Sequence, residues 1–373
     1  MIPRPSALER FFAAHEFSVE YVAGASDVDG LPLRQLLAWA DEESLAAWER
    51  LALGYTETAG SPALRTEISR LYERVDPDEV VVCAGAAEAL YLLQAALLEP
   101  GDDLVTVRPA FESLTSVAPS LGATVTAVHL DPDAGWRLDV AELARAIGPR
   151  TRLVAVNTPH NPTGSMLDAA TQAALAALCD ERGIPLVSDE VFRFLEADPA
   201  DRLPGAVDLS PGAVSVGVLS KAYGLAGLRV GWIACRDAAL RDRVLALKDY
   251  TSVCVSAPSE VLAVAALRAK VKVVGRCRDI VAANQAVAEE FVAAHAGVLE
   301  WTRPTGGTVG FPRVDPRWPV DRLATDLLAG HGVLVLPGTV FDDGGNRFRL
   351  GLGRANLPAA LDRFDAFLSA QDR

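Results

Sequence analysis

The chain has 373 residues, half of them hydrophobic and 23% charged, a composition that suits a soluble globular protein of about two domains. Acidic residues outnumber Lys plus Arg by 49 to 35, and no basic run offsets the resulting charge of −14, which argues against a nucleic-acid partner. The five cysteines lack metal-ligand or disulfide-framework spacing, no apolar run approaches the ~18 residues of a membrane span, and the N-terminus lacks a secretion-signal core, so a reducing, cytoplasmic location is expected.

Amphipathic spacing predicts helices over 33–51 and 62–75. From 79 onward, short apolar runs alternate with helical patterns. Strands are predicted at 79–83, 103–107, 124–128, 152–157, 184–189, 214–219 and 229–234, with helices at 88–98, 139–147 and 168–183 between them. This alternation predicts βαβ units and a mostly parallel sheet covered on both faces. The tight Gly-containing link before the last strand also allows an antiparallel final pair. Beyond about Ser259 come a long Ala/Val-rich helix, strand-like pieces at 307–314, 331–338 and 346–353, and a terminal helix. The expected organisation is a large α/β domain over 46–265, a smaller α+β domain over 266–373, and an N-terminal segment over 1–45 that joins the latter.

In open α/β sheets, ligands bind beyond the carboxyl ends of the strands. Four predicted strand ends carry chemistry there. The first runs into Gly85, Ala86 and Ala87, a turn that opens a helix and suits a phosphate, though ordinary strand-to-helix turns look the same. The 152–157 strand runs into NTPHNPTG with Asn161, the 184–189 strand ends in Asp189, and the 214–219 strand delivers Ser220 and Lys221. Lys221 is one of four lysines against 31 arginines. A desolvated amine can lose its proton and condense with an aldehyde, and a guanidinium cannot. Arg229, eight residues on, suits bidentate contact with a phosphate. An amine, a carboxylate for a ring nitrogen, an amide for a ring hydroxyl, a phosphate turn and an arginine are what pyridoxal phosphate requires.

At these residues the chain resembles the class I/II aminotransferases, the fold type I pyridoxal-phosphate enzymes. SKAYGLAGLRVGW, HNPTG and SDE occur in the family's order and spacing, joined by YTETAGSPALR, RPAF, TGGTVGFP and LPGTVF, from about Tyr55 to Leu352. The resemblance implies a large domain with a seven-stranded, mostly parallel sheet and a small α+β domain. It implies pyridoxal 5′-phosphate on Lys221 through a Schiff base, with the same lysine then moving the α-proton. Asp189 would pair with the ring nitrogen, Asn161 with the ring hydroxyl, and Phe111 with the ring face. Gly85, Ala86, Ala87, Ser220 and Arg229 would hold the phosphate. Tyr55 would reach it from a second subunit, implying a homodimer with shared sites, and Arg349 would clamp the substrate α-carboxylate. The N-terminal segment would cover the active site.

The family usually has tyrosine three residues after the aspartate, where this chain has Phe192; Val218 and Ala87 likewise stand where hydroxyl side chains are common. The implied reaction is transfer of an amino group from an α-amino acid to a 2-oxo acid. The chain is also similar to capreomycidine synthase, in LSKAYGL, the Phe after the aspartate, and HGVLV. That leaves open an enzyme that cyclises or oxidises arginine or an arginine derivative. Asp27 and Asp29 in GASDVDGLP offer partners for such a cation, but beside Gly30 and Pro32 they read as solvated turn residues.

Overall fold

Seven strands form the central sheet of the computed structural model, which describes residues 4–371; residues 1–3 of the expected N-terminal segment lie outside them. They are β1 (Val80–Cys83), β2 (Asp103–Arg108), β3 (Thr124–His129), β4 (Thr151–Asn157), β5 (Leu186–Asp189), β6 (Ala213–Val218) and β7 (Gly231–Cys235), each on a predicted apolar run. Their order across the sheet is β1-β7-β6-β5-β4-β2-β3. The pairs from β3 through β6 are parallel. β7 runs antiparallel to both of its neighbours, so the link before it does reverse the chain.

Side-chain alternation along the strands divides the core into two layers. Leu104, Leu153, Val187, Val214 and Ile233 pack with Leu90 and Leu93 of helix Ala86–Leu97 and Leu240 of helix Ala238–Lys248. Their sequence neighbours Val105, Val154 and Leu186 face the other way, onto Leu143 of helix Val140–Ala146 and Leu175 of helix Ala169–Arg182. This last helix has both of its ends written in sequence. Asp168 accepts a hydrogen bond from Thr171 N at 2.7 Å, and Gly183 closes it at φ +62°.

Two predicted helices are broken. The stretch over 33–51 forms Leu33–Trp39 and Glu42–Glu49, because Asp41 accepts from Ser44 N at 2.7 Å and starts a new helix. The Ala/Val-rich stretch divides at Ala269 into Ala257–Arg268 and Lys270–Ala294. In the C-terminal part, Leu336–Pro337, Phe348–Gly351 and Val309–Gly310 form an antiparallel sheet. His331, expected in a strand, instead ends helix Val320–His331, which Gly332 terminates at φ +67°. The N-terminal segment ties into this part, Leu334 N donating to Tyr21 O at 2.8 Å and Gly351 N to Ala23 O at 2.7 Å. Among the described residues, no helix is long and apolar enough to cross a membrane.

Candidate active site

Because β7 is antiparallel to both β1 and β6, those two strands point the same way, and the carboxyl ends of β1, β4, β5 and β6 share one edge. A cavity of about 360 Å³ opens there. Ala86, Ala87, Phe111, Asn161, Asp189, Phe192, Ser220, Lys221, Arg229 and Arg349 all line it.

The turn after β1 depends on two close approaches. Gly85 has φ +90°, and a Cβ there would lie 2.5 Å from Arg229 Nη2. A Cβ on Gly231 would lie 2.6 Å from the Gly85 carbonyl carbon. Two glycines thus let the helix Ala86–Leu97 start directly against the arginine. Arg229 donates to neutral oxygens, Ser220 Oγ at 3.4 Å and Ala226 O at 3.2 Å. Its charge and the free N–H groups of the helix therefore face the same space, which suits a phosphate.

Lys221 follows β6 in a turn closed by Gly224 N donating to Lys221 O at 3.1 Å. Its Nζ donates to Ser26 Oγ at 2.8 Å and lies 5.9 Å from the centroid of the Phe192 ring. Burial pulls the amine down to about 8; Asp27 and Asp189 oppose this, and Arg349 reinforces it. Asp189, 1% exposed at the end of β5, is pushed by burial up to about 7, although Val191 N donates to its Oδ1 at 3.2 Å. Asn157, paired with Asp189 across the β4–β5 register, donates its Nδ2 to Asp189 O at 2.8 Å. The Oδ1 of Asn157 accepts from Asn161 N at 2.6 Å, which anchors the HNPTG turn.

Arg349 lies on Phe348–Gly351 and is 1% exposed. Its hydrogen bonds all go to neutral oxygens: Gly24 O from Nε at 2.9 Å and Nη2 at 2.8 Å, and Asn161 Oδ1 from Nη1 at 3.1 Å. Burial pulls the guanidinium down to about 9. A buried cation held this way calls for an anion.

Tyr55 does not line this chain's cavity, and its side chain is 93% exposed. The reading of Asp27 and Asp29 as solvated turn residues is corrected. Asp27 lines the cavity and accepts both of its bonds from Arg354 Nη2, at 3.0 and 3.1 Å, while Asp29 lies 3.4 Å from Arg354 Nη1. His160 is buried, with Nδ1 2.7 Å from Thr163 Oγ1. Sequence reasoning did not single out Ser26, Asn157 or the inward face of helix Ala7–His15. Ser26 and Lys221 are 195 positions apart, and no local pattern joins them.

The family model for class I and II aminotransferases matches residues 24–364. The chain belongs to that family. It is a pyridoxal-phosphate-dependent enzyme that moves an amino group from an α-amino acid to a 2-oxo acid. The aminotransferase is 38% identical over 281 residues to capreomycidine synthase of Streptomyces vinaceus, covering 74% of this chain and 71% of the relative. It is 35% identical over 323 residues to arginine–pyruvate transaminase of Pseudomonas aeruginosa, covering 80% and 77%. A solved PLP-dependent aminotransferase from Streptococcus suis superposes with a TM-score of 0.93 at 28% identity over 100% of both chains. The fold is accordingly fold type I. The donor set fits the cofactor: an amine, a buried carboxylate, an amide, and a helix start braced by an arginine bonded to neutral oxygens share one cavity.

Proposed function

We propose that Lys221 binds pyridoxal phosphate and then moves the α-proton, while Asp189, Asn161 and Arg349 fix cofactor and substrate around it. What carries this reading is one cavity that holds both an amine with a loosened proton and a buried arginine bonded only to neutral oxygens. Near pH 8 about half of the Lys221 amines are unprotonated, and only that form is a nucleophile. When bound, the pyridine ring supplies an electron sink for the pair released at the substrate α-carbon. Asp189 holds a proton at the ring nitrogen, which gives its buried carboxylate a cationic partner. Asn161, with Oδ1 engaged by Arg349, has its Nδ2 free to donate to the ring hydroxyl.

Phe111 covers one face of the ring, and Phe192 closes the wall without offering a donor. Gly85, Ala86, Ala87, Ser220 and Arg229 hold the phosphate. Tyr55 completes that cup from a second copy of the chain, so the working unit is a homodimer with shared sites in the cytoplasm. The chain is read as a large cofactor-binding domain over 46–265, a small domain over 266–373, and a covering segment over 1–45.

The name of the Pseudomonas relative makes arginine the first donor to test and pyruvate the first acceptor. Mass-spectrometric product analysis across amino acids, with and without a 2-oxo acid, tests the reaction. Acceptor-dependent transfer is expected; ammonia, peroxide or a cyclised product without acceptor would favour an enzyme that cyclises or oxidises arginine or an arginine derivative. Lys221→Arg keeps the charge and is expected to abolish both transfer and the protein-bound visible band that remains after free cofactor is removed. Retained transfer in that variant would overturn the assignment.

A further inference from the structure

Helix Ala7–His15 lies over the cavity, with Leu8, Glu9 and Phe12 turned into it and Glu16, just past its end, on the same side. The spacing 9, 12, 16 puts these three on one helix face. The Phe12 ring centroid lies 5.7 Å from Arg349 Cζ, so this face stands over the carboxylate clamp. The helix is pinned in place: Ser6 Oγ donates to Glu112 Oε2 at 2.6 Å, beside Phe111. Leucines at 9 and 16 would exclude water as well as these residues do. Glu9 stands in the first turn, where the helix dipole favours a carboxylate, but Glu16 stands just past the last turn, where it does not.

The charges on this wall do not balance. Asp27 is taken by Arg354, which also lies 3.8 Å from Glu16 and 3.4 Å from Asp29, so one guanidinium faces three carboxylates. Glu9 adds a fourth at the rim of the cavity. Glu16 is held above its usual range by burial first, then by the neighbouring charges of Asp27 and Glu9. The opposing cations are Arg354, which with Lys221 acts on Glu16, and Lys221 and Arg349, which face Asp27 and Glu9. A substrate α-carboxylate would neutralise Arg349, the independent mark of a ligand in this cavity, and condensation would use Lys221. The wall above would then remain negative.

We infer that Glu9 and Glu16 determine specificity by recognising a cationic group, an ammonium or guanidinium, at the far end of the amino donor's side chain. The inference rests on the aminotransferase reading and names its donor class, the basic α-amino acids. At about 1.5 Å of rise per residue, Glu9 and Glu16 stand about 4.5 and 6 Å from Phe12 in opposite directions along the helix, so their side chains flank the Phe12 ring from either side. A carboxylate seated on Arg349 below Phe12 therefore leaves a long basic side chain to run outward along this face. Short 2-oxo acids with uncharged side chains would leave the two glutamates in water.

The test compares L-arginine with L-citrulline, its neutral analogue, as donors to pyruvate in the loaded enzyme and in Glu9→Gln, Glu16→Gln and the double variant. Each variant is first shown to take up cofactor with wild-type visible absorbance. Wild type is expected to favour arginine in kcat/KM by about tenfold or more, and the double variant to bring the two within about threefold. Equal losses for both donors would mean a merely structural role and overturn the inference. A wild-type enzyme that uses neutral donors as well as arginine would also overturn it, leaving the aminotransferase reading intact. If no donor transfers its amino group, that reading fails instead. Calorimetric binding of arginine against citrulline to the loaded protein then decides the inference by the same ratio.

Discussion

Replacing Asp189 by Asn should stabilise the cofactor-free protein while disabling the enzyme. Burial raises this carboxyl from an ordinary 3.8 to about 7, with the Val191 N–H and the Lys221 charge offsetting only part of it. Because the folded value is raised, the native protein keeps a proton that the unfolded chain has released. Stability therefore falls as pH rises from about 4 to 7, and the full cost stands above 7. At about 1.4 kcal/mol per unit, a shift of about three units costs about 4 kcal/mol at pH 8, falling to about 2 at pH 5. Asn keeps an oxygen for the Val191 N–H and removes the charge. With an unfolding entropy of about 2.1 cal/mol/K per residue, the stripped variant should melt about 5 °C above stripped wild type at pH 8. The gap should shrink to about half at pH 5. Added pyridoxal phosphate should stabilise wild type more than the variant, and transfer by the loaded variant should fall at least about a hundredfold. Scanning fluorimetry from pH 5 to 9, with and without cofactor, reads all but the last. A stripped variant no more stable than wild type at pH 8, or a gap independent of pH, would refute the reasoning.

Three further outcomes follow from single side chains. Phe192 offers the cofactor's ring oxygen no donor, so that oxygen retains more charge to hold the proton on the adjacent lysine-linked nitrogen. Phe192→Tyr should lower the midpoint of the visible-band pH titration by about one unit, and superimposable titrations would sink this account. Arg349→Lys keeps a cation but loses the forked donor, so KM for the donor should rise about tenfold or more with a smaller change in kcat. Tyr55→Phe should weaken retention of the cofactor under dialysis without changing the oligomeric mass; unaltered retention would remove Tyr55 from the phosphate site.

What could be read in sequence was what repeats or what is local. The strands were visible because both sheet faces are covered, which makes each a short apolar run, and Asp189 and Lys221 stand where two such runs stop. Asp168 and Gly183 bracket their helix with ordinary capping chemistry. Asp41 sends the same capping signal, but it is masked because amphipathic spacing continues through it into the next helix. Arg349 lies in the short strand Phe348–Gly351, and nothing local distinguishes it from the neighbouring Arg347; family resemblance was needed to choose it. Ser26 and Glu9 escaped notice, and Asp27 reads in sequence as a solvated turn residue, because their placement comes from the N-terminal segment folding back over the sheet, through Leu334 to Tyr21 and Gly351 to Ala23.

Burial displaces Asp189, Lys221 and Arg349 in the directions that weaken their charges, yet none forms an ion pair with another. Lys221 bonds to a hydroxyl, Arg349 to a carbonyl and an amide, and Asp189 to a backbone N–H. Paired with each other, they would be satisfied without ligand, and the amine would be locked in its charged form. Holding them on three separate elements, β5, the turn after β6, and Phe348–Gly351, leaves each short of a partner of opposite charge. In the proposed reading, a protonated ring nitrogen and an α-carboxylate would be the opposite charges for Asp189 and Arg349, and an aldehyde would take up the loosened amine of Lys221 by condensation. The destabilisation stored in the empty protein is thus returned when cofactor and substrate bind, so a stable site and a reactive one are alternatives here.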